Sequence, residues 1–187
     1  MKKFILFFSI LTLTAFTTHR FQPLNPIEQI IPLPIEIPTT TFDTVDINFK
    51  GHSDFLSAMG HQESRNRYHI VNRYGYMGKY QFGKSTLKTL RIKVSRKEFL
   101  KDTLLQEEAM LKLLLHNKKR LQKYINKYEG KVIHGILVTE SGLLAAAHLG
   151  GQGSVKKWFR NGRIRKDGNG VKITSYMKQF GGYILNL

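Results

Sequence analysis

One carboxylate, Glu63, stands in the densest run of aromatic and amide side chains in the chain, Gly60 to Phe82 (GHQESRNRYHIVNRYGYMGKYQF). Ser64 follows it directly, and Tyr68, His69, Asn72, Tyr74, Tyr76, Tyr80, Gln81 and Phe82 crowd behind. A lone acid among rings and amides suits a sugar-binding cleft. Rings stack on pyranose faces, and amides bond hydroxyl and N-acetyl groups. Apolar walls around a carboxylic acid favour its neutral, proton-donating form. Glycosidic cleavage commonly uses two carboxylates within ~10 Å of each other. Asp54, nine residues before Glu63, would lie about 13.5 Å away along a helix, too far for such a pair. A single acid suffices for an intramolecular route, in which the substrate's own hydroxyl displaces the leaving oxygen.

The neighbours of Glu63 divide between substrate binding and packing. Ser64 either bonds the carboxylate or the substrate, or is a polar residue closing a helix. Gln81 is the best candidate for an amide that reads substrate, with a loop bond as the alternative. Tyr80 would hold the acid or line the cleft. Tyr68, Tyr74 and Tyr76 are subsite rings or loop packing, packing being the commoner role, while Gly75 and Gly78 turn the segment. His148, on an alanine-rich stretch, is a core histidine or a partner of the acid, and Trp158 reads as packing. His52, His61 and His69 lack a metal-ligand spacing. The absence of cysteine removes disulfides, thiolate zinc sites and a cysteine nucleophile. No metal and no cofactor is expected.

These residues need elements to position them. Ser53 as N-cap, with Asp54 at the positive helix end, starts a helix that places Glu63 in or just after its last turn. Residues 68–83 are glycine-punctuated and read as a folded loop or short hairpin. A short helix over 84–90, with Ser85 as its cap, comes next. Ser95 to Glu98 is a capping box, opening a helical tract to about Tyr128 with a second start at Asp102. Leu104, Leu105, Ala109, Leu111, Leu113, Leu114, Leu115, Leu121 and Ile125 give it apolar faces at helical spacing; Glu107 and Glu108 fall on the wet side. Gly130 ends it. Ser141 caps a helix to about Leu149, whose alanines permit close packing, and further helices are expected over 154–159 and 175–180. The domain is mainly α, without internal repeats.

Three segments in order resemble the soluble lytic transglycosylase-like domain: Glu63-Ser64, then Gly75-x-x-Gly78-x-Tyr80-Gln81-Phe82, then Ala145 to Gly153 (AAAHLGGQG). The resemblance covers roughly residues 52–180. It implies a goose-type lysozyme-like fold, cleavage of peptidoglycan glycan strands, Glu63 as the catalytic acid, and substrate contacts from Ser64, Tyr68, Gly78, Tyr80, Gln81 and His148. The sequence departs from the family pattern at Lys79-Tyr80, where the family has Leu-Met, and at His148-Leu149, where it has Tyr-Asn. Glu140-Ser141-Gly142 also matches the family's Glu-Ser-Gly, but no aromatic Gly-x-x-Gly segment follows it, so Glu63 is preferred.

Residues 1–18 (MKKFILFFSILTLTAFTT) have a basic start and a short apolar run, the pattern of an export signal; an uncleaved anchor is the alternative. All five prolines fall within 19–50, an expected semi-rigid linker. Residues 51–187 form the expected catalytic domain. The protein is thus expected in the periplasm or cell envelope, as a monomer, touching membrane only through its signal or an uncleaved anchor. The formal net charge is +17, and because basic and acidic residues balance within 1–50, all of that excess lies in the domain. Such a field draws polyanions. For an exported protein the accessible partner is peptidoglycan, and no nucleic-acid motif is present. A wall-binding module without activity, a lysozyme-like hydrolase and a nucleic-acid binder are the competing classes.

Overall fold

A computed structural model describes residues 50–187. The expected signal at 1–18, and the expected linker up to residue 49, lie outside the described residues. The first helix, α1 (His52–Ser64), starts after Gly51, whose N–H donates to Asp54 Oδ2 at 2.8 Å. Asp54 satisfies the helix end by reaching back, so Ser53 lies inside the helix and is not the cap. Likewise α2 (Lys84–Thr89) begins after Gly83, with Ser85 inside it.

The next two starts follow the sequence closely. Ser95 Oγ accepts from Glu98 N at 3.2 Å and Glu98 Oε2 accepts from Ser95 N at 3.0 Å, opening α3 (Arg96–Lys101). Asp102 Oδ1 then accepts from Leu105 N at 2.8 Å, opening the long α4 (Thr103–Tyr128). Ala109, Met110, Leu113, Leu114, Leu121 and Ile125 form its buried face, whereas Leu104, Leu111 and Leu115 are exposed.

A hairpin that carries no strong sequence signal follows, β1 (Val132–Ile133) against β2 (Ile136–Leu137), antiparallel with Val132 opposite Leu137. Thr139, not Ser141, caps α5 (Glu140–Gly150), its Oγ1 accepting from Gly142 N at 3.1 Å. The last helices are α6 (Gln152–Asn161) and α7 (Ile173–Gln179). The described residues are mainly helical, and no helix among them is long and apolar enough to cross a membrane.

The core is built around α5, buried continuously from Ser141 to Ala147 and packed on α4, α6 and α7. Phe55, Met59, Phe99, Trp158 and Phe180 close around it. Small residues let the helices approach. A Cβ at Gly142 would lie 2.6 Å from the Met177 carbonyl oxygen, so α5 and α7 meet almost backbone to backbone there. That crossing fixes His148 on one helix relative to Tyr176 on the other.

Candidate active site

Glu63 occupies the last turn of α1. Arg65 (φ 57°) and Asn66 (φ 60°) are left-handed and turn the chain away at once, their N–H groups bonding the carbonyls of His61 (2.9 Å) and Gly60 (3.0 Å). That region is uncommon for non-glycine residues, asparagine tolerating it best, and the turn made here ends α1 one residue after Glu63. Ser64 is buried and serves this turn. Its Oγ donates to the Gly60 carbonyl at 3.3 Å and accepts from Arg67 N at 2.9 Å. Of the two roles open to Ser64, the structure shows the helix-end one.

Two side chains address the same oxygen of Glu63. Tyr176 OH donates to Oε1 at 2.8 Å, and His148 Nε2 stands 3.4 Å from it. Burial, then the Glu63 charge and this bond, push the Tyr176 hydroxyl well above its ordinary value, so it remains a donor. Among the described residues none bonds Glu63 Oε2, and the side chain is 14% exposed. Oε2 is the oxygen left to meet a ligand. The His148 ring sits edge-on to Phe82 at 6.1 Å between centroids, with Nδ1 buried and unpartnered among the described residues.

Glu63 lies where two hollows adjoin. The smaller, about 230 Å³, is lined by Glu63, Asn72, Tyr74, Tyr76, Gln81, His148, Leu149 and Asp167 to Asn169. The larger, about 730 Å³ and more open, runs along Gln62 to Arg65, Arg67 and Ile70 to Asn72. Glu63, Asn72, Gln81 and Asn169 line both. An acid with one oxygen held and the other unbonded among the described residues, where two amide- and tyrosine-lined hollows adjoin, can deliver a proton to a bound ligand.

No family model, curated protein or solved structure matches this chain. The chemistry therefore rests on the geometry of these residues.

Of the residues expected beside Glu63, Ser64, Gln81 and His148 line its cleft, Ser64 on the larger hollow. Gln81 adopts φ 50° and donates Nε2 to the Gly78 carbonyl at 2.8 Å, so its amide is also a loop brace. Tyr68 and Tyr80 are brought elsewhere. Both hydroxyls donate to Glu107 on α4, at 2.6 Å each, and Lys79 Nζ reaches the same carboxylate at 2.8 Å. Lys79 also lies 5.3 and 4.9 Å from the Tyr68 and Tyr80 ring centres. Tyr80 is fully buried, and a buried hydroxyl needs a partner; Glu107 supplies it. Glu107 is thus not simply a wet-side residue. Lys79-Tyr80, where the sequence departs from Leu-Met, are the residues this network joins. Gly78 is buried at φ +75°, and a Cβ there would overlap the Gln106 amide; it shapes the loop and does not line either hollow.

The network carries a pH signature. Burial opposes ionisation of Glu107, but bonds from Lys79, Tyr68 and Tyr80 outweigh it and hold the carboxyl below its ordinary 4.5. Burial likewise opposes the Lys79 charge, and its bonds to Glu107 and Tyr68 prevail and raise its pKa. A carboxyl lowered by folding adds stability above its unfolded value and loses it as pH falls through the folded one. The stability gap between wild type and Glu107→Gln, followed by urea denaturation, is therefore expected to be full at neutral pH and to close below about pH 4.5. A gap that stays constant across that range would contradict the network.

Several cleft residues lack a local signal in the sequence. Tyr176 bonds an acid 113 positions away, and nothing around it marks that role. Tyr74 and Tyr76, for which packing was the commoner role, are 48% and 44% exposed in the cleft wall. Asp167 opens an Asp-Gly-Asn-Gly turn and braces it, Oδ1 accepting from Asn169 N (2.9 Å) and Val171 N (2.7 Å). The competing Glu140 lies outside both hollows and pairs with Lys118 at 3.0 Å. Ser141 accepts from Tyr183 N at 3.2 Å.

Proposed function

We propose that this chain is an exported peptidoglycan lytic transglycosylase with a goose-type lysozyme-like fold, acting on the bond between N-acetylmuramic acid and N-acetylglucosamine. The observation that carries the reading is Glu63 at the junction of two hollows, one oxygen held by Tyr176 and the other unbonded among the described residues. Protonated Glu63 gives its proton to the bridging oxygen, and the bond from that oxygen to C1 breaks. The C6 hydroxyl of the muramoyl ring attacks C1 and returns its proton to the Glu63 carboxylate. The product is a 1,6-anhydro ring, with no water consumed and the acid regenerated. Tyr176 and His148, both on Oε1, hold the carboxylate while Oε2 handles the proton. The basic surface of the domain favours residence on an anionic wall, in the periplasm or cell envelope.

A second reading, a lysozyme-like hydrolase, draws on Asp167, a second carboxyl lining the smaller hollow. One of its oxygens already accepts two backbone N–H groups, which favours the single-acid route. Mass spectrometry of soluble products from purified sacculi separates the two. Anhydro-ended muropeptides are expected, reducing ends would move the assignment to a hydrolase, and no products with intact sacculus binding would make the protein a wall-binding module.

A further inference from the structure

The two hollows beside Glu63 are unequal, and the smaller one is lined by two loops, far apart in sequence, that a hydrogen-bonded bridge joins. Arg73 Nη2 donates to Tyr74 OH at 2.8 Å and to Asn169 Oδ1 at 3.1 Å, and Tyr74 OH donates onward to the Gly168 carbonyl at 3.2 Å. Each loop is stiffened by its own side chain before it meets the other. Asn72 Oδ1 accepts from Tyr74 N (2.9 Å) and Tyr76 N (3.1 Å), and Asp167 braces the opposite turn in the same way. The loops thus face each other as two preformed arms, joined by bonds exposed to solvent.

We propose that this bridge closes the narrow end of the groove and makes the enzyme cut near the ends of glycan strands. The inference rests on the glycan-cleaving reading above. A hollow of about 230 Å³ falls below the ~300–1,000 Å³ usual for drug-sized ligands and suits a ring unit or so. The open side, about 730 Å³, takes the continuing strand. Tyr74, Gly168 and Asn169 all line the small hollow, so a polymer leaving it between these two loops would meet the bridge. A strand end needs no exit. Arg73, Tyr74 and Asn169 are then specificity determinants that act by barring passage.

The test uses the full chain and long glycan strands freed of peptide, with product lengths followed from the first minutes by chromatography and mass spectrometry. Wild type is expected to release short anhydro-ended fragments while the remaining polymer shortens slowly. The Arg73→Ala/Tyr74→Phe variant removes the bridge from one arm, and Asn169→Ala weakens it from the other. Both are expected to raise internal cuts relative to end cuts by roughly tenfold, one decade per ~1.4 kcal/mol of bridge lost. Helical circular dichroism matching wild type verifies that the variants fold. Internal cuts by wild type from the outset, or the same length profile in folded variants, would overturn the proposal while leaving the activity standing. Absence of any cleavage by wild type would remove the glycan-cleaving reading and this inference with it.

Discussion

Glu63→Gln is expected to lower the rate of glycan cleavage by at least ~10²–10⁴-fold, the range that general acid–base catalysis contributes. The substitution isolates proton transfer. Glutamine has nearly the same shape, and its amide oxygen can still accept from Tyr176 OH, which donates at 2.8 Å to Glu63. What it lacks is an acidic proton for the leaving oxygen and a carboxylate to take one back. Initial rates of soluble product release from sacculi, with thermal melting run in parallel, give the two readouts needed. An unchanged melting temperature with the rate collapsed is the expected pair. Tyr176→Phe provides the graded comparison: removing one hydrogen bond to a charged group costs ~1.5–3 kcal/mol, about 10–100-fold in rate, with the acid still present. Retention of most of the rate by Glu63→Gln would show that the proton comes from elsewhere, and Asp167 would be the next residue to change.

Gly78→Ala is expected to cost far more stability than an ordinary methyl addition, although Gly78 lies behind the cleft and not in its wall. The backbone there has φ +75°, and the new methyl would overlap the side chain of Gln106. The left-handed conformation costs alanine ~1–2 kcal/mol. Gln106 cannot simply move aside. It is fully buried, accepts from Lys79 N at 2.9 Å, and donates to the carbonyls of Phe99 (2.8 Å) and Tyr68 (3.1 Å). Each of those groups left unmet in the interior adds ~1–3 kcal/mol, so a total of several kcal/mol is expected by urea denaturation. Activity should fall with stability, because Asn72, Tyr74, Tyr76 and Gln81 sit on the same loop. Gly170→Ala is the control, since its φ is +80° but nothing lies within 4 Å of the added methyl. It bears only the backbone penalty. Equal losses at the two positions would show that Gln106 yields freely.

What could be read from the sequence is what local chemistry decides. The capping box at Ser95 and the cap at Asp102 each involve groups three residues apart, and both form as their spacing implies. The mainly helical class and the placement of Glu63 at a helix end follow from the same short-range logic. Reading fails where several groups compete for one local role, or where the partner is remote. Thr139 outcompetes Ser141 as a cap because Ser141 turns inward to the Tyr183 amide. Glu107 occupies the polar side of an amphipathic helix and looks solvated until the loop carrying Lys79 and Tyr80 covers it. Tyr176 lies in a short helix with no motif, and only the α5–α7 crossing brings it to Glu63. Two-residue strands such as Val132–Ile133 are too brief for any periodicity to show.

The two walls of the cleft are anchored in parts of the protein that open by different routes. Tyr176 and His148 ride on helices joined at Gly142, within the continuous core, where amides are expected to exchange with solvent mainly through large-scale unfolding. The arms at 72–76 and 167–170 are joined by solvent-exposed bonds and can part by local opening. The groove can therefore breathe on its loop side while the acid keeps its hydroxyl partner throughout. On the proposed glycan-cleaving reading, temperature or denaturant is expected to loosen the choice of cutting position before it disarms the acid.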